Sequence, residues 1–106
     1  MKPLALAVLL SASLVALAQD AEFAIAIKDH KFSPDRIEIP AGKKVKLVVD
    51  NQDATPEEFE SNSMKLEKVI PGKSKATIYV GPLKAGEYKF VGEFNEKTAK
   101  GVVVAK

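Results

Sequence analysis

From Phe23 onward, apolar and polar residues alternate with a period of two. Phe23, Ile25 and Ile27 are spaced by Ala24 and Ala26 and followed by Lys28, Ile37 and Ile39 frame Glu38, and Val45, Leu47 and Val49 stand among Lys44, Lys46 and Val48. Ile78 and Val80 flank Tyr79, Tyr88 and Phe90 flank Lys89, and Val102 and Val104 close the chain. Side chains on a strand point alternately to the two faces of a sheet, so this pattern predicts strands with one buried face. About seven strands are expected, at 22–29, 35–39, 44–50, 64–70, 74–80, 86–93 and 100–105.

The segments between them carry turn chemistry: Ser33-Pro34-Asp35, Pro40-Ala41-Gly42, Pro71-Gly72, Gly81-Pro82 and Ala85-Gly86. Proline presets φ and glycine admits positive φ, which suits tight reversals. Thr55-Pro56-Glu57-Glu58 reads as the start of a helix, with Thr55 as N-cap, Pro56 at the first helical position and Glu58 closing a capping box. One short helical turn is therefore expected in the 51–63 loop. Short strands without an amphipathic helix predict an all-β, antiparallel Greek-key β-sandwich. Tyr88, just after Gly86, is placed to form a tyrosine corner, its hydroxyl bonding to the upstream backbone.

The first eighteen residues break the pattern. Lys2 precedes a run from Pro3 to Ala18 that is apolar apart from Ser11 and Ser13, and Ala16-Leu17-Ala18 supplies small residues at a cleavage site. The run is shorter than the ~20 apolar residues of a spanning helix. Residues 1–18 are expected to be a signal peptide and 19–106 the domain, exported to the periplasm with no stable membrane anchor after cleavage. The chain has no cysteine, which removes disulfides, zinc ribbons, iron–sulfur clusters and thiol chemistry. Without Lys2, the sixteen Lys and Arg become fifteen, against fourteen Asp and Glu. The lysines are dispersed over alternate positions and aromatics are few, so nucleic-acid binding has no support. No Ser/His/Asp arrangement is arguable around the single histidine, and no Gly-rich loop is built to cradle phosphate. Charge is uneven in one place: Asp50, Asp53, Glu57, Glu58 and Glu60 precede the next basic residue, Lys65.

The order of landmarks resembles the cupredoxins over almost the whole domain. Phe32-Ser33-Pro34, Ile37-Glu38-Ile39-Pro40-Ala41-Gly42, Val45-Lys46-Leu47 and Asn51-Gln52-Asp53 are similar to the first half of that family. Gly86-Glu87-Tyr88-Lys89-Phe90 and Gly101-Val102-Val103-Val104 are similar to the second. The resemblance implies a type-1 copper site of two His, one Cys and an axial Met. Those positions fall on Glu57, Gly92, Asn95 and near Ala99, so no type-1 copper is expected. A narrower resemblance, carried by Asp29-His30-Lys31-Phe32, Pro56-Glu57-Glu58-Phe59-Glu60-Ser61, Glu67-Lys68, Gly92-Glu93-Phe94 and Thr98-Ala99-Lys100-Gly101, is to the EfeO-type cupredoxin-like domains. These are periplasmic proteins associated with bacterial iron uptake. Where that family often has a histidine, this chain has Asn95.

The expected topology gathers His30, the 51–60 loop and Glu93–Asn95 at one end of the sandwich. His30, Glu57 and Glu93 are the first candidates for metal ligands, followed by Glu60 and Glu67. Such oxygen-rich donors suit iron, manganese or calcium, whereas Cu(I) prefers sulfur. Met64, the one thioether of the domain, could serve copper or simply fill the core. Structural explanations stand beside each ligand role. His30 can occupy a turn, and Glu57 can face a helix dipole. Glu60 and Glu67 can pair with Lys65 and Lys68 at the surface. Glu58, explained as a cap, is left out, and Glu93 stands beside the position of the missing Cys. The resemblance implies a soluble periplasmic accessory that binds iron loosely and exchanges it with a membrane iron permease system or a periplasmic partner protein. Ferrous iron oxidation is the one arguable enzymatic activity, with copper at His30 and Met64 or on a partner. A metal-free interaction module is the third reading.

Overall fold

The computed structural model describes residues 19–106, and the expected leader, 1–18, lies outside the described residues. Among the described residues, nine strands form two stacked sheets: β1 (Glu22–Lys28), β2 (Lys31–Ser33), β3 (Arg36–Ile39), β4 (Val45–Asn51), β5 (Glu57–Ser61), β6 (Leu66–Ile70), β7 (Ser74–Val80), β8 (Gly86–Gly92) and β9 (Lys100–Ala105). One sheet runs β2-β1-β4-β7 and the other β3-β9-β8-β5-β6. The β-sandwich is as expected, with three corrections.

Both sheets are mixed and not purely antiparallel, because β1 pairs with β4 and β3 with β9 in parallel. The chain changes sheet between β2 and β3, which brings β4 back beside β1 running the same way. The count is nine and not seven because two short strands have too few residues to show a period. The first, β2, follows a two-residue turn at Asp29 and His30, whose φ values are 53° and 58°. Two successive left-handed residues form the hairpin turn that matches strand twist. Asp53 supports it: its carboxylate accepts the Asp29 and His30 N–H groups at 2.8 and 3.0 Å. These bonds, that from His30 first, hold the Asp53 carboxyl below its ordinary range.

The third correction concerns Thr55–Glu58, which starts no helix. Residues 57–61 are β5, paired with β6 on one side and β8 on the other. Phe59 is fully buried, and an extended chain is what places it inward while pairing on both sides. Tertiary packing overrides the local capping signal. The one helical turn among the described residues is a 3₁₀ turn at Glu93–Asn95.

The core sits between the sheets around three aromatic rings. Phe59 stacks on Phe90 at 4.9 Å between centroids, and Phe32 meets Phe90 edge-on at 5.0 Å. Gly101 permits this packing, since a Cβ there would lie 2.2 Å from Phe90 Cζ. Buried Asn51 ties the end of β4 to the next loop, its Nδ2 donating to the Thr55, Ile70 and Pro71 carbonyls. The Tyr88 hydroxyl donates to the Lys84 carbonyl at 2.7 Å, which is the expected tyrosine corner. No helix among the described residues is long and apolar enough to cross a membrane.

Candidate metal centre

Alternation along β5 sends its residues to opposite faces. Phe59 faces the core, so Glu57 and Ser61 also point inward while Glu58 and Glu60 point out. On the outer face, Glu60 stands directly across from Glu67 of β6, and Glu58 lies diagonal to Glu67. On the other side Phe59 pairs with Gly92, so the next residue, Glu93, stands beside Glu58. Sheet register thus brings four carboxylates from three segments together.

Carboxylate oxygens of Glu58, Glu60 and Glu93 all lie within 4.8 Å of one another. Glu58 is only 8% exposed, and its Oε1 is enclosed without a hydrogen-bond partner. None of the ion pairs among the described residues involves this group; those pairs are Arg36–Glu87, Lys44–Asp20 and Lys106–Glu38. The neighbouring Glu67 carboxyl and then that of Glu93, followed by burial, push the Glu58 carboxyl up to about 8. Glu60 is also raised, first by Glu93 and then by burial. Crowded like charges favour uptake of a proton or a cation.

Glu57 turns the other way and is 2% exposed. Its Oε1 accepts the Glu58 N–H at 3.0 Å and the Phe94 N–H at 2.9 Å, and its Oε2 accepts Asn95 Nδ2 at 2.6 Å. A Cβ on Gly92 would lie 2.6 Å from Glu57 Cδ and 2.7 Å from Ala99 Cβ. Glu57, Gly92, Asn95 and Ala99 therefore converge on one point at the end of the core.

That convergence agrees with the sequence comparison, in which residues 3–105 match the Cupredoxin-like domain family. The chain belongs to the cupredoxin-like domain family. It is 41% identical over 83 residues to the uncharacterized protein RP394 of Rickettsia prowazekii (strain Madrid E), a match that spans 78% of this chain and 66% of that protein. Among solved structures, it is similar to auracyanin A, a blue copper protein of Chloroflexus aurantiacus, with a TM-score of 0.68 and 13% identity over 83% of this chain and 100% of that one. It is also similar to the metal-binding domain of the Cu(I)-exporting P-type ATPase CopA of Streptococcus pneumoniae, with a TM-score of 0.68 and 15% identity over 80% of this chain and 84% of that one. At these identities the structural likeness is one of fold.

The residues of this cupredoxin-like domain do not fit type-1 copper. The chain has no thiol, and the space a side chain on Gly92 would need is filled by the Glu57 carboxylate. Of the five residues singled out from the sequence, Glu60 and Glu93 join the carboxylate group, and Glu67 borders it. Glu57 is turned inward and occupied by three donors. His30 sits in the β1–β2 turn with Nε2 3.4 Å from Thr55 Oγ1; it lines an open groove with Glu93 through Thr98 but is outside the carboxylate group. Glu58, the most enclosed carboxylate of the outer group, is the member that the helix-cap reading hides. The signal that marks it is the pair of glutamates flanking Phe59, a strand alternation three residues long.

Proposed function

We propose that this cupredoxin-like protein is a periplasmic accessory of bacterial iron uptake that binds iron at Glu58, Glu60 and Glu93, with Glu67 at the border. The observation that carries this reading is the meeting of carboxylate oxygens of Glu58, Glu60 and Glu93, with Glu58 Oε1 enclosed and unpartnered and no cationic side chain among the described residues paired to the group. An oxygen-only donor set favours hard cations over Cu(I). Met64 is packed against the core, which leaves no sulfur in the set. The resemblance of Pro56–Ser61 to EfeO-type domains supports iron as the cargo and a membrane iron permease system or a periplasmic protein as the partner.

Only Glu58 of this group is enclosed, Glu60 is half-buried and Glu93 and Glu67 are exposed, so the group binds without a closed cage. Iron would enter and leave by exchange of one oxygen ligand at a time, which keeps transfer to a partner fast. Anaerobic calorimetric titration with Fe(II), Mn(II), Ca(II), Zn(II) and Cu(I) tests the proposal. Fe(II) and Mn(II) should bind, Cu(I) should not, and Glu58→Gln and Glu93→Gln should each weaken Fe(II) binding at least tenfold. Absence of any metal-dependent heat in the wild type would sink the proposal and leave the interaction-module reading.

A further inference from the structure

We propose that Glu57 is a positioning residue for the carboxylate centre: one buried oxygen ties together the two backbone segments that carry Glu58 and Glu93. The inference rests on the metal-binding reading and assigns to Glu57 a role other than ligation.

The geometry is specific. Glu57 Oε1 accepts at once the N–H of Glu58 and the N–H of Phe94, the residue after Glu93. Two donors on one oxygen cannot be further apart than the sum of the two bonds, so this atom holds the ligand-bearing segments together past the last ladder pair, Phe59–Gly92. Oε2 fixes the far end of the 3₁₀ turn through Asn95 Nδ2. The turn needs this support, because Gly92 gives it no side-chain cap. The remaining bonds of the 92–99 loop are internal: Gly92 N–H to the Ala99 carbonyl, and the Thr98 and Ala99 N–H groups to the Asn95 carbonyl. They shape the loop without linking it to β5 beyond the last ladder pair, Phe59–Gly92. The missing side chain at Gly92 leaves the space through which the carboxylate reaches. A carboxylate kept from water on the inner face of a sheet is costly unless its lone pairs are used, and here three donors use them.

The test separates positioning from ligation and from stability alone. Mn(II) and Fe(II) affinities are measured for the wild type, Glu57→Gln, Glu57→Leu, Asn95→Ala and Ile39→Val, with thermal unfolding of each. Glu57→Gln keeps an oxygen for both backbone N–H groups, its new amide N–H donating to Asn95 Oδ1 once that side-chain amide turns over, and should stay within about threefold of wild type, as a ligand variant would not. Glu57→Leu should weaken binding at least tenfold while folded, and Asn95→Ala should weaken it less. Ile39→Val, a buried change elsewhere in the core, should lower thermal stability and leave affinity unchanged.

A tenfold loss in Glu57→Gln would overturn the inference, as would wild-type affinity in a folded Glu57→Leu. If Glu57→Leu does not fold, wild-type affinity in Asn95→Ala overturns it. If the wild type binds neither metal, the iron reading fails on its own. Amide exchange at Phe94 then decides the positioning role: protection in wild type and Glu57→Gln that is lost in Glu57→Leu or Asn95→Ala upholds it, and equal protection in all of them overturns it.

Discussion

Glu57 and Gly92 share one volume: a Cβ on Gly92 would stand 2.6 Å from Glu57 Cδ. The backbone at Gly92 is extended, with φ −89° and ψ 105°, so glycine is required there by space and not by conformation. Gly92→Ala should therefore destabilise by about 1–3 kcal/mol, the range for overpacking a close-packed site. Urea unfolding measures it, and trimming position 57 in the same chain should recover part of the loss.

The same relationship predicts what restores copper. Gly92→Cys alone should give no blue colour with Cu(II), because the carboxylate occupies the sulfur's place. The combination Glu57→His, Gly92→Cys, Asn95→His and Ala99→Met supplies the trigonal donors and weak axial ligand of a type-1 site on converging positions. It should develop the intense visible absorption of a copper–thiolate bond, which a spectrum on titration with Cu(II) would reveal.

Stability of the metal-free protein should fall with rising pH across the carboxylate centre. Glu58 is raised from 4.5 to about 8, so between these values the folded chain holds a proton that the unfolded chain has released. Stability then decreases as pH rises through that window, and the contribution is complete only below 4.5. Glu58→Gln should flatten the slope and gain most over wild type above pH 8. Asp53 has the opposite sign. Its carboxyl is lowered from 3.8, so its contribution is present above that value and lost as pH falls through the folded one. Urea midpoints at acidic, neutral and alkaline pH, compared with Asp53→Asn, separate the two.

Phe90 makes the two shortest ring contacts of the trio, with Phe59 at 4.9 Å and Phe32 at 5.0 Å, against 6.0 Å between Phe32 and Phe59. Phe90→Ala should cost about 3–5 kcal/mol, a large share of the ~5–15 kcal/mol that keeps a domain folded. Thermal and urea unfolding should both register it.

Tyr88→Phe removes the hydroxyl that bonds the Lys84 carbonyl and little else. The loss should be about 0.5–1.5 kcal/mol, read as a lower urea midpoint with an unchanged slope.

The sandwich was legible because alternation is a one-dimensional record of which face each residue occupies. Ile25 and Ile27, Val45, Leu47 and Val49, and Ile78 with Val80 are all buried where their spacing puts them inward. Tyr88 was equally readable, since its partner Lys84 lies only four residues away. The short pieces were not. Three-residue β2 is too short to show a period although its partner β1 is next in the chain, and five-residue β5 is held on one side by distant β8 while a local helix-start signal points the other way.

By itself the sequence determined the sandwich and the incompatibility with a copper–thiolate centre, because periodicity and the lack of a thiol need no coordinates. Only tertiary structure decided which glutamates meet. Glu57 and Glu58 are neighbours in the chain, yet pleating turns one into the core as a brace and the other onto the surface beside Glu60, Glu67 and Glu93. That choice depends on register between strands more than thirty residues apart, such as Phe59 against Gly92, and register is a property of paired backbones that no single stretch of sequence carries.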